Sequence, residues 1–304
     1  MRNTRVTIVG LAAVAAMTLA ACTSDAGTTP EETSAAGEAT AAATDDASGD
    51  AAAADCSGGD GTLRIGIKFD QPGLGFQDGS TYTGFDVDVA KYVACQLGYA
   101  EDQIEFVSSP SAQRENLLQT GQVDMIFATY SITDARKEVV DFAGPYFVAG
   151  QDLLVRADDD SITGPEDLEG KNLCSVTGST SAQKIKDNYA TGVNLLEQPG
   201  YADCVTVLES GQVDAVTTDD IILAGLAATP ANQGKFKVVG NPFSEENYGV
   251  GLPKGSTERC EEINAAITEM IDSGAWEEAV TANTEGTGYT PNADLNPPTP
   301  AACA

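Results

Sequence analysis

A weak internal repeat, a heptapeptide that recurs with five of seven residues identical, limits the folds open to this chain. Leu118-Gln119-Thr120-Gly121-Gln122-Val123-Asp124 returns as Leu208-Glu209-Ser210-Gly211-Gln212-Val213-Asp214. In each copy a helical apolar pattern stops at glycine and a strongly apolar run begins. Helix-to-strand turns in a chain that alternates the two elements imply mostly parallel sheets flanked by helices, here as two similar units. A turn of this kind is common, so a chance match of seven residues stays open on the repeat alone.

The remaining pattern agrees with an α/β fold. Leu63–Phe69 alternates as a strand, Phe85–Leu97 has helical spacing stopped by Gly98, and Ile104–Val107 is a second strand. Asp70–Gly75 between the first two is rich in turn residues and reads as a loop. Ala112–Gln119 is helical and Val123–Ala128 reads as a strand buried on both faces. In the second unit Leu153–Val155, Leu173–Val176, Val193–Leu196, Asp214–Thr218 and Phe236–Val239 are strands, with helices over Thr180–Tyr189 and Tyr201–Glu209. Gly249–Leu252 returns to the first unit, helices follow over Glu258–Ser273 and Ala275–Ala282, and Pro291–Ala304 is irregular. The expected lobes are 58–148 plus 249–304, and 149–248. Their crossovers fall near Phe147–Leu153 and Glu245–Gly249.

Chemistry concentrates after the Val123–Ala128 strand, in Thr129-Tyr130-Ser131-Ile132-Thr133-Asp134-Ala135-Arg136. Thr133 suits an N-cap and Asp134 a first helical turn. Free N–H groups, two hydroxyls and the Arg136 guanidinium then converge at a strand's C-terminal end, a corner suited to carboxylate or phosphate. A capped helix with a solvated Arg136 would read the same. Five residues past the repeated aspartate stand Thr129 in one copy and Asp219 in the other, where open α/β sheets bind ligands.

Composition removes several functions. A formal net charge of −30 argues against nucleic acid and anionic membranes as partners. The chain has no histidine, hence neither the commonest general base nor the commonest metal ligand, and no C-x-x-C spacing. No metal or cofactor is expected. Residues 1–22 read as a targeting segment, with Arg2 and Arg5 before an apolar core and Leu19-Ala20-Ala21-Cys22 at its end. Small residues ending on a cysteine resemble the bacterial lipoprotein signal, which implies a lipid on Cys22 and an extracytoplasmic protein. Residues 23–57 contain acidic but no basic side chains and read as a disordered tether. Of seven cysteines, six remain once Cys22 is set aside, an even number suited to three disulfides. The preferred pairing is Cys174 with Cys204, Cys56 with Cys95 and Cys260 with Cys303, although spacing leaves connectivity open.

Four motifs in order carry a resemblance. Gly84-Phe85-Asp86-Val87-Asp88-Val89-Ala90, Ser131–Lys137, Phe142-Ala143-Gly144-Pro145-Tyr146 and Val176-Thr177-Gly178-Ser179-Thr180 resemble motifs of the extracellular solute-binding proteins of polar amino-acid ABC importers. The resemblance spans about Thr62 to Thr281. Arg64–Gly75, Ser109–Glu115 and the pair Cys174 and Cys204 look more narrowly like the glutamate-binding lipoproteins of high-G+C Gram-positive bacteria.

The resemblance implies a two-lobed periplasmic-binding-protein-like fold enclosing an amino acid in its cleft. Arg136 would then bind the α-carboxylate, with Ser131, Ser179 and Thr180 supplying donors. Asp219 would accept from the α-ammonium, with Thr129 beside it. The side-chain subsite falls at Lys68, Ser111 and Arg114. Basic-amino-acid binders of this family carry an acidic residue near the Lys68 position, so Lys68 reverses the expected charge and favours glutamate. Asp86 and Asp88 read as helix-start residues and Trp276 as a core or rim aromatic. The implied partner is a membrane ABC permease, the implied state a monomer, and no catalysis is expected. A glutamine binder, a sensor docking to a membrane kinase, and a dehydratase-like enzyme are the rival readings.

Overall fold

The repeated heptapeptide does the same structural work in both places. In the computed structural model, which describes residues 56, 58–189 and 192–303, the aspartate ending each copy ties a central strand to its neighbour. Asp124 Oδ2 accepts from the backbone N–H of Arg64 at 2.8 Å. Asp214 Oδ2 accepts from that of Asn172, also at 2.8 Å. The two aspartate N–H groups donate in return to the carbonyls of Arg64 and Asn172, at 2.8 and 2.7 Å.

The first unit opens with β1 (Leu63–Ile67) and a small antiparallel sheet of β2 (Asp70–Gln71), β3 (Gly75–Asp78) and β4 (Thr81–Thr83). Next come α1 (Phe85–Gln96), β5 (Ile104–Ser108), α2 (Arg114–Gln119), β6 (Met125–Phe127), the single turn α3 (Asp134–Lys137) and β7 (Asp141–Ala149). The second unit comprises β8 (Gln151–Arg156), β9 (Asn172–Val176), α4 (Thr180–Asn188), β10 (Asn194–Gln198), α5 (Tyr201–Glu209), β11 (Ala215–Asp219), α6 (Asp220–Ala228) and β12 (Phe236–Val238). The chain then returns through β13 (Glu246–Leu252) to α7 (Thr257–Asp272) and α8 (Ala275–Thr284).

The two large sheets share one plan. Their orders are β5-β1-β6-β13-β7 and β10-β9-β11-β8-β12. In each, three parallel strands are followed by two that join antiparallel. Only Gly150 separates β7 from β8, and Glu246 already pairs with Ala149 in the first sheet. The two passages between lobes therefore run side by side.

Core packing fixes the rest. Trp276 is buried against Phe85 and Phe147 and donates from its indole to the Tyr146 carbonyl at 2.7 Å. Disulfides join Cys56 to Cys95, Cys174 to Cys204 and Cys260 to Cys303. The last holds the irregular tail on α7, and Asn296 of that tail bonds both the N–H and the carbonyl of Val148. Among the described residues no helix is long and apolar enough to cross a membrane. The targeting segment, Cys22 and most of the expected tether lie outside the described residues.

Several elements differ from the sequence reading, among them the strands β4 and β7, which it does not include. Asp70–Gly75, read as a loop, begins the small β2-β3-β4 sheet. Helix α6 has no counterpart in the sequence reading. Ile221 to Leu226 are buried without interruption, so α6 has no polar stripe to betray its period.

Candidate functional site

Where β6 ends, the chain must turn sharply to reach α3. Thr129 sits in that turn at φ +44°, the one non-glycine residue with positive φ among those described. For a β-branched residue this is strained. Its N–H donates to Asp86 Oδ2 at 3.0 Å, and Asp86 Oδ1 accepts from the Tyr146 hydroxyl at 2.7 Å. Burial pushes the Asp86 carboxyl up to about 6, against the opposing hydrogen bonds. Thr133 caps α3 by accepting from the Arg136 N–H at 3.2 Å. Arg136 then reaches back to the Ser131 carbonyl at 2.7 Å and lies 3.5 Å from Glu115.

A second cationic group lies beside it. Lys68 follows β1 and donates to the Ser111 hydroxyl at 2.7 Å, both residues being buried. Arg114 packs its guanidinium over the Tyr130 ring at 4.1 Å, and Arg136 lies over the same ring at 4.9 Å. Arg114 donates to the Ala128 carbonyl at 2.9 Å. Glu115 accepts from the Tyr130 hydroxyl at 2.7 Å and pairs with Arg136 rather than Arg114. Burial, with Arg114 next in effect, lowers the Lys68 ammonium to about 7. Burial and the neighbouring Arg136 lower Arg114 to about 10.

The second lobe supplies the facing wall. Ser179 caps α4, accepting from the Ala182 N–H at 2.9 Å, so its hydroxyl serves the helix directly. Thr180 Oγ1 lies 3.3 Å from Ser131 Oγ across the lobes. Arg136 donates to the Gly178 carbonyl at 3.0 Å. Gly178 has φ +79°, and a Cβ there would sit 2.7 Å from the Ala112 Cα in the other lobe. Asp219, at the end of β11, accepts from the Tyr248 hydroxyl through Oδ2 at 2.6 Å. Its Oδ1 is buried with no protein partner. Burial, then the nearby Glu246, raises this carboxyl. Asp70 of β2 accepts from the Tyr201 N–H at the start of α5 at 3.0 Å, and Lys184 of α4 bonds Glu246 of β13. The lobes are closed on one another.

All nine side chains singled out by sequence lie at this junction. Seven are buried, Arg136 and Thr180 partly so. Sequence reasoning passed over Gln71, whose Nε2 is buried without a partner while its Oε1 accepts from Thr129 at 3.3 Å. It also passed over Tyr130 and Tyr248. Tyr130 lies within the motif itself, and its alternation with Thr129 and Ser131 was the available signal. Tyr248 had none, because only the return of β13 brings it to Asp219. The junction thus presents three cations at one side, and an orphaned carboxylate oxygen and an orphaned amide N–H elsewhere. A buried group left unpaired is costly, so this arrangement suits a small zwitterion.

Known proteins agree in kind. The chain is 47% identical over 248 residues to glutamate-binding protein GluB of Corynebacterium efficiens, covering 75% of this chain and 83% of that one. It is 39% identical over 217 residues to the ABC transporter glutamine-binding protein GlnH of Bacillus subtilis, covering 70% and 78%. An ancestral arginine-binding protein bound to arginine superposes with a TM-score of 0.68 at 36% identity, covering 74% of this chain and 99% of that one. With residues 63–282 matching the family as a whole, the chain belongs to the bacterial extracellular solute-binding proteins, family 3.

Proposed function

We propose that this protein captures a single acidic α-amino acid, glutamate first, and hands it to a membrane ABC permease. One observation carries this reading. Three cationic side chains, Lys68, Arg114 and Arg136, converge on a closed junction that also holds the unpartnered Asp219 Oδ1. Arg136, with Ser131 and Thr180, takes the α-carboxylate, displacing the carbonyl bonds it makes now. Asp219 and Thr129 take the α-ammonium. Lys68, Ser111 and Arg114 take the side-chain carboxylate. Similarity to the glutamate-binding protein GluB and the glutamine-binding protein GlnH supports an amino acid, and GluB supports the acidic one.

The work is closure, with no covalent step. Lobes 58–148 plus 249–304 and 149–248 rotate about the paired passages at Gly150 and before Glu246. The buried carboxylates Asp86 and Asp219 are held by tyrosine hydroxyls, in binding rather than in turnover. A lipid on Cys22 anchors the monomer outside the cytoplasm. Calorimetry against the twenty amino acids tests the reading, with glutamate expected tightest. Arg136→Ala and Asp219→Ala should each lose a few hundredfold in affinity, since each leaves a buried ligand charge unpaired. Either variant binding within about tenfold of wild type overturns the site. A preference for glutamine overturns only the acidic ligand.

A further inference from the structure

We infer that Asp86 is a positioning residue for the ligand's amino group, acting through Thr129. The inference rests on the reading above, in which Thr129 stands beside the α-ammonium. Asp86 lies at the start of α1, where sequence assigns it only to the helix, and its side chain is fully buried. It has no cationic partner within ion-pair distance among the described residues. Its two oxygens instead take two donors from two other elements, the Thr129 N–H at 3.0 Å and the Tyr146 hydroxyl at 2.7 Å.

The Thr129 conformation requires such a hold. At φ +44° the turn stores strain that a β-branched residue relieves by relaxing to negative φ. The bond from Asp86 opposes that relaxation. It keeps Thr129 Oγ1 where it meets the Ala128 carbonyl at 2.8 Å and Gln71 Oε1 at 3.3 Å. With its proton directed to those oxygens, the Thr129 hydroxyl keeps lone pairs to accept from an ammonium, as the unpartnered Asp219 Oδ1 does. Asp86 itself is behind this set and touches Thr129, so its action is indirect. An asparagine retains one acceptor for the Thr129 N–H and turns an N–H toward the Tyr146 oxygen. Alanine retains neither.

A plain structural tie would loosen the whole lobe, and a paired-ligand measurement separates the two roles. The probes are L-glutamate and glutarate, which lacks only the amino group. If glutamine binds wild type more tightly, glutamine and its des-amino analogue replace them. Asp86→Ala should weaken the amino acid about 30-fold and the des-amino analogue less than about threefold, the scale of one lost positioning contact to a charged group. Asp86→Asn should restore amino-acid affinity to within about fivefold of wild type. Should Asp86→Ala fail to fold, Tyr146→Phe releases one carboxylate oxygen and should show the same asymmetry more weakly. Equal losses for both probes, or no loss for either, overturns the inference and leaves the amino-acid reading standing. A wild-type protein that binds no amino acid overturns both.

Discussion

At Lys68 an ammonium is enclosed with a serine hydroxyl as its bonded neighbour and two arginines nearby. Burial and Arg114 lower its proton affinity to about 7, with Asp70 and Asp86 acting the other way. A ligand carboxylate would restore the proton. Glutamate binding above pH of about 7 therefore takes a proton up at Lys68, and affinity should fall by as much as about tenfold per pH unit there. The Asp219 carboxyl, raised by burial, moves oppositely, since it must lose its proton to accept an ammonium. That loss is common to glutamate and glutamine. Calorimetry in two buffers at pH of about 8 should then show nearly one more proton taken up with glutamate than with glutamine. Lys68→Met should erase that difference and most of the preference for glutamate. Equal proton uptake for the two ligands in wild type would mean that Lys68 does not meet the ligand side chain.

Among the elements, the turn from β9 into α4 is where closure is decided. Gly178 offers its carbonyl to Arg136 and passes so near Ala112 that no Cβ fits between the lobes. The contact exists only when the lobes meet. Gly178→Ala should accordingly lower ligand affinity by about tenfold or more, through a backbone clash of the closed form. Its left-handed φ adds a smaller cost of about 1 kcal/mol to the fold itself. Affinity and melting temperature measured together check this, and a variant that loses only stability refutes it. The other cap behaves differently. Thr133 at α3 follows from residue types alone, because an N-cap is a local bond between residues three apart.

For the whole molecule, charge poses the problem. Residues 58–304 hold 38 acidic and 14 basic side chains, a formal −24 in the part of the chain that carries a site proposed for an anion. Long-range repulsion slows the approach of glutamate, while the buried cations act only at contact. Raising salt from about 0.02 to about 0.2 M shortens the screening length severalfold and should speed association of glutamate, with dissociation little changed. Stopped-flow measurement decides it, and association that slows with salt would show that local cations dominate at long range too.

The chain's own residues determine much of this protein. Periodic apolar patterns and the duplicated turn are local properties, so the two α/β units, most strand positions and helices α5, α7 and α8 follow from them. Motif matching likewise brought Arg136, Asp219, Thr129 and the Lys68 group to one site before any packing was known. Tertiary structure decided what depends on distant segments meeting. Tyr248 reaches Asp219 only because β13 returns beside β7, and Asp86 holds Thr129 across forty-three positions of sequence. Helix α6 was hidden because burial on every side removes the periodicity that reveals a helix. That Glu115 pairs with Arg136 rather than with its neighbour Arg114 was likewise decided by tertiary structure, where both guanidinium groups lie over the Tyr130 ring.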